Sequence, residues 1–343
     1  MKIRYLFIVC LLFLCSGCSN NNSDRRVLNI LNWSSYIPSD VIIDFENKSG
    51  IDVNYGTYSS NEELLAKISV AKEGTYDLIF PSDYMVEIMI DRNIIDEIDL
   101  SRLENVANLN NKFMNLEYDL GNRYTLPFVA ASTVIAVNRD YIDDEIDSYN
   151  DLLSSKYKGE IVLIDDQRII IGMALLANGY DMNSVNEDEL RVAMDWLLRL
   201  KKNLKAYDSD SPKNFLISEE ASIAVLWNAE GALASMEKDN IENIFPREGV
   251  MLSIDNFAIP KGAKNMDCVY EFIDYILEPS VMKRIIESYP YKNVNLITEI
   301  MLSEDYLNNE AANIPDSVFE SGLFVQNIGD NISKYDRIWA EIK

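Results

Sequence analysis

The chain has 343 residues, with 56 acidic against 31 basic side chains, a formal charge of −25 and no histidine. Such a surface repels nucleic acid and anionic headgroups and draws cations toward it. Without histidine, Ser-His and Cys-His nucleophile systems and most zinc or iron sites are excluded, so neither a metal nor a cofactor is expected.

Lys2 and Arg4 precede an apolar run, Tyr5 to Leu14, with the length of a signal-peptide core. A bilayer span takes about 20 apolar residues, and this run is shorter. Leu14-Cys15-Ser16-Gly17-Cys18 follows, then the polar Ser19-Asn20-Asn21-Asn22-Ser23. The arrangement resembles a bacterial lipobox, with Cys15 where leucine is usual. It implies a leader over 1–17, lipidation of Cys18, a tether over 18–26 and an extracytoplasmic protein anchored to the membrane by lipid. An ordinary secretion signal shares this architecture and is the alternative. Cys268 is then the only cysteine left, so no internal disulfide forms, and its apolar neighbours predict an inert buried thiol.

The remainder exceeds what one core usually serves, and two domains are expected. Val27 to Leu31 reads as a strand, and Ser39 stands to cap a helix through Lys48 that Gly50 closes. Ile51 to Tyr55 is a second strand. Ser60 and Glu63 form a capping box for a helix ended near Gly74, and Asp77 to Phe80 is a third strand leading into another helix after Pro81-Ser82. This alternation predicts an α/β lobe with a parallel sheet.

A second lobe repeats the grammar. Its strands are Glu160 to Ile164 and Ser222 to Leu226; its helices are Ile169 to Ala177, Glu187 to Leu200 and one beginning near Glu230. Two apolar passages, Thr125 to Val137 and Phe257 to Pro260, read as crossings between lobes. The expected division is 27–128 with 257–305 for lobe one and 129–256 with 306–343 for lobe two. Crossings without a Pro/Gly-rich linker predict a hinge of limited opening.

In open α/β sheets, ligands bind beyond the carboxyl ends of the strands. Here those ends deliver Trp33, Ser35 and Tyr36; Ser82, Asp83 and Tyr84; Asp166; and Trp227 and Glu230, while Asp255 precedes the second crossing. Carboxylates bind ammonium groups through charge-assisted hydrogen bonds, and aromatic faces cover methylenes and attract cations. An anion site would call for arginines and glycine-rich loops instead. Each residue also has a plainer role: Asp166 as a helix cap, Glu230 as a complement to a helix dipole, the aromatics as core. Asp208, Asp210 and Glu219 share some spacing with a calcium loop, but Lys213 stands where that loop needs glycine.

Six stretches carry a family resemblance: Asn32 to Pro38, Thr57 to Glu62, Tyr76 to Tyr84, Leu163 to Asp166, Trp227-Asn228 and Asp255 to Pro260. In their order and spacing the chain resembles the bacterial spermidine/putrescine-binding proteins of polyamine ABC importers. The resemblance implies a two-lobed, periplasmic-binding-protein-like fold of type II, closing over a polyamine and handing it to permease subunits, as a monomer and without enzymatic activity. Carried over by position, it implies ligand contacts from Trp33, Ser35, Tyr36, Ser82, Tyr84, Asp166, Trp227 and Asp255, and from Tyr291 and Gln326 further along. Where the spermidine pattern has glutamate, this chain has Ile169; where it has tryptophan, Ser253. Glu230 stands where it could supply the missing carboxylate. Putrescine preference or altered spermidine selectivity follows as an expectation. Two alternatives are a hydrolase using Asp166 and Asp255 as a carboxylate pair, and a related receptor for another solute.

Overall fold

A computed structural model describes residues 26–343; the expected leader and the expected lipidation at Cys18 fall outside the described residues. Strand β1 (Val27–Trp33) leads into helix α1 (Ser39–Ser49). Pro38, not Ser39, occupies the cap position of α1; its hydrocarbon ring has no acceptor for a cap bond, and its fixed φ of −60° sets the turn into the helix. Gly50 ends α1 in the left-handed conformation (φ 68°).

After β2 (Asp52–Tyr58), Ser60 Oγ accepts from Glu63 N to start α2 (Asn61–Val70). The Glu63 carboxylate reaches back to Ser59 N, one residue beyond the expected capping-box partner. Then come β3 (Leu78–Ile79), α3 (Asp83–Asp91), β4 (Ile95–Asp96) and the 14-residue β5 (Thr125–Asn138), buried throughout.

The second half continues with β6 (Ile161–Leu163), α4 (Gln167–Ala177), α5 (Glu187–Leu200), β7 (Leu204–Tyr207), α6 (Lys213–Ile217), β8 (Ile223–Trp227), α7 (Asn228–Glu237) and β9 (Ile241–Ile244). Strand β10 (Met251–Pro260) returns the chain to the first half, where α8 (Met266–Ile276), α9 (Pro279–Ser288), α10 (Leu296–Glu299), α11 (Glu304–Asn308) and α12 (Asp316–Ser321) follow. The short β11 (Leu323–Phe324) and α13 (Ile332–Ile342) finish it.

The strands form one curled sheet in the order β2-β1-β3-β10-β5-β8-β6-β7. Its flanks are parallel, as the alternation of strands and helices requires, but its middle is antiparallel: β5 pairs with β10 over Thr125–Ser132 and with β8 over Thr133–Val137. Strand β10 begins six residues before the apolar passage that marked it in the sequence. Its polar residues Ser253, Asp255 and Asn256 are buried at the junction.

One core gathers Leu28, Phe45, Phe128, Phe272, Tyr306 and Ala312; the other gathers Ile135, Ile164, Trp196, Leu226, Val325 and Tyr335. Trp33 and Trp227 pack against both. At the junction Phe80, Phe128 and Phe257 meet with ring centroids 5.1–5.3 Å apart. Each such pair contributes about 0.5–1.5 kcal/mol beyond its buried area and fixes where the three strands cross. Among the described residues no helix is long and apolar enough to cross a membrane.

Candidate functional site

Parallel strands β1 and β3 end on the same edge of the sheet, so the loops that follow them converge. Trp33, at the end of β1, donates its indole N–H to Phe80 O (2.9 Å) and packs against Tyr58 with centroids 4.6 Å apart. Ser35 takes a positive φ of 56°, and this bend turns Tyr36 inward, where its ring lies 4.7 Å from that of Tyr291.

The register of β10 against β5 shifts at Asp255/Asn256, and such a bulge re-aims the side chain it carries. Asp255 thereby enters the cleft. It accepts from Tyr36 Oη (2.6 Å) and Ser82 Oγ (2.6 Å), with Ser253 Oγ at 3.5 Å. Ser82 is itself positioned by Asn61 Nδ2 (3.1 Å). Burial pushes Asp255 up to about 6, against those hydrogen bonds, which favour its charged form. Asp83 lies behind it, fully enclosed, with Oδ1 unpartnered; burial first, and then the charge on Asp255, push its pKa well above the carboxylate range. Two acids thus share one enclosed corner, and their mutual repulsion disfavours double ionisation.

From the other side β6 delivers Asp166 to the cap of α4, where Oδ1 accepts from the backbone of Arg168 (2.8 Å) and Ile169 (3.0 Å). That is the plainer role foreseen for it, yet Asp166 also lines the cleft. Its surface is part exposed to the cleft while protein surrounds it, so burial raises its pKa against the pull of its amide partners. Strand β8 delivers Trp227, half-buried, and α7 starts at once with Glu230 in its first turn.

The cleft encloses an empty space of about 860 Å³, its open mouth included. Of the residues singled out by sequence, it brings together Trp33, Ser35, Tyr36, Ser82, Asp83, Tyr84, Asp166, Trp227, Glu230, Asp255 and Tyr291. Gln326 is not among the lining residues. Val325 takes that position, and Gln326 is exposed, using its backbone to accept from Arg168 (2.9 Å) and to donate to Asn183 (2.9 Å). Alternation along an extended segment turns neighbouring side chains to opposite sides, which is why a one-residue register matters there. Ile169 and Ser253 both line the cleft, so the two departures from the spermidine pattern fall inside it.

Three contributors escaped the sequence reading. Glu62 accepts from Tyr84 Oη (3.2 Å). Arg168 is buried between Tyr84 and Tyr335, its centre 5.7 and 5.0 Å from their rings, with Nε unpartnered. A cation in the first turn of α4 opposes the helix dipole, and that anomaly was the available signal. Lys213 holds both oxygens of Glu230 at 2.8 Å. Among the described residues no group of three or more acidic or cysteine side chains is arranged to hold a metal.

The sequence pattern of the bacterial extracellular solute-binding protein family matches residues 40–313. A spermidine/putrescine-binding periplasmic protein of Salmonella typhimurium is 33% identical over 322 residues, covering 94% of this chain and 92% of that one. Among solved structures, a putative spermidine/putrescine ABC transporter protein of Listeria monocytogenes superposes with a TM-score of 0.89 at 31% identity, covering 92% of this chain and 98% of that one. A lipoprotein of Treponema pallidum superposes with a TM-score of 0.83 at 27% identity, covering 92% and 99%.

Proposed function

We propose that this chain, which belongs to the bacterial extracellular solute-binding proteins, captures a polyamine outside the cytoplasm and delivers it to an ABC transporter permease. It is a binding protein and not an enzyme, as its family is. The observation that carries the ligand class is Asp255, held by Tyr36 and Ser82 in an aromatic-walled corner with no lysine or arginine paired to it among the described residues. An alkyl ammonium completes that corner. Its nitrogen meets Asp255, and its methylenes lie along Trp33, Tyr36 and Trp227. A second ammonium meets Asp166. The relatives named for spermidine and putrescine support the same reading.

Finer readings accompany this one. Lipidation at Cys18 is supported by the lipobox-like segment and by the lipoprotein from Treponema pallidum; its test is loss of membrane retention on Cys18→Ala. We take the protein to act as a monomer. We also divide the lobes at 128/129 and 256/257 but move the last crossing from 306 to about 323, because Tyr306, Ala311 and Ala312 pack in the first core and Val325 in the second.

The test is a thermal-shift panel with putrescine, cadaverine, spermidine and spermine on protein freed of bound ligand. Ligand at 100 times its dissociation constant adds about 2.7 kcal/mol of stability. No shift with any of them refutes the polyamine reading.

A further inference from the structure

The lysine that disqualified a calcium loop returns behind the cleft lining. Lys213 opens α6, and its Nζ lies 2.8 Å from both carboxylate oxygens of Glu230, in the first turn of α7. Both side chains are largely withdrawn from solvent, with 20% and 11% exposure. Glu230 lines the cleft beside Trp227, and its charge is felt by Tyr291, whose ring packs on Tyr36. The carboxylate therefore faces the ligand space with both oxygens already occupied by a protein ammonium. Asp255 differs: its hydrogen-bond partners are hydroxyl groups, and among the described residues no cation pairs with it.

We infer that Lys213 is a specificity-determining residue, a built-in ammonium that fills the carboxylate a third ligand nitrogen would otherwise use. The inference deepens the polyamine reading and rests on it. With Glu230 satisfied internally and Ile169 unable to hold a cation, Asp255 and Asp166 are the withdrawn anchors left, while Asp210, which also lines the cleft, lies exposed against Ser59; two withdrawn anchors suit a diamine. A triamine entering the same space brings its extra charge against a pair whose charges already cancel, so Lys213 denies the longer ligand a third anchor by occupancy. Glu230 therefore does not take the place of the anchor lost at Ile169, as the sequence had suggested.

Titration calorimetry with putrescine and spermidine tests this on the folded two-lobed protein. The wild type is expected to favour putrescine. Lys213→Met releases Glu230 and is expected to raise spermidine affinity relative to putrescine by about tenfold or more. Lys213→Met combined with Glu230→Gln removes both charges and is expected to return the ratio to near the wild-type value. Glu230→Gln alone leaves the Lys213 charge uncompensated behind the cleft lining and is expected to weaken both. These variants are read by the ratio of two affinities, so a general loss of folded protein does not mimic the effect. A ratio unchanged in Lys213→Met, with putrescine still bound, overturns the role of Lys213 alone. Absence of binding by the wild type to either amine overturns the polyamine reading and this inference with it.

Discussion

With a ligand ammonium on Asp255, as proposed, protonation of that carboxylate competes with binding, and the size of the competition follows from its surroundings. Burial lifts its pKa from 3.8 to about 6 despite the hydroxyls of Tyr36, Ser82 and Ser253. In free energy that displacement is about 3 kcal/mol. The ligand-free folded protein keeps a proton that the unfolded chain has released. Its stability is therefore expected to fall by up to about 3 kcal/mol as pH rises from about 4 to about 6, and to level off above. A cationic ligand needs the ionised form. The ionised fraction falls from about nine-tenths at pH 7 to about one-tenth at pH 5, so the dissociation constant is expected to rise about tenfold. Calorimetry at fixed ionic strength from pH 5 to 7 measures this. Burial pushes Asp83, Asp166, Glu62 and Glu230 in the same direction, so Asp255→Asn is expected to flatten the profile in part, besides weakening binding throughout. A flat wild-type profile, or an unchanged slope in Asp255→Asn, refutes the reasoning.

Three further outcomes follow from the packing. Asp77 is fully buried and accepts from the backbone N–H groups of Asn29, Lys264 and Asn265 and from the side-chain amides of Asn29 and Asn265; Asp77→Ala leaves these donors unpaired. It is expected to cost about 3–5 kcal/mol in urea denaturation, with ligand affinity of the folded fraction unchanged. Trp33→Ala removes a ring that packs on Tyr58 and faces the cleft, and calorimetry is expected to show polyamine affinity lowered by about tenfold or more. Gly231→Ala drives a methyl group into Asn243 Oδ1 and the Val134 side chain (2.9 Å), and a thermal melt is expected to register about 1–3 kcal/mol of destabilisation.

Much of this was legible before any fold was known. The missing histidine and the acidic balance removed whole classes of chemistry, and helix stops such as Gly50 depend on neighbours only a few residues away. Strand ends predicted the cleft loops because side chains in an α/β sheet emerge where parallel strands stop, so Trp33, Ser82, Asp166 and Trp227 could be named from their position after apolar runs. Strand β10 was only half visible. It is buried on both faces at the lobe junction and carries polar residues there, so neither alternation nor an apolar run marks its first six positions.

The opening feature of the chain, its acidity, shows what folding alone decides. Sequence establishes that carboxylates are abundant and that several stand at strand ends. It does not say which are already spent. Charge satisfaction depends on groups distant along the chain: Lys213 reaches 17 residues to close on Glu230, and Tyr36 crosses 219 to hold Asp255. Local spacing carries no record of such meetings, because the first arises where α6 packs on α7 and the second where the loop after β1 meets the bulged strand β10. The residues set the supply of charge, and the tertiary contacts decide which carboxylates are already paired, as Glu230 is with Lys213.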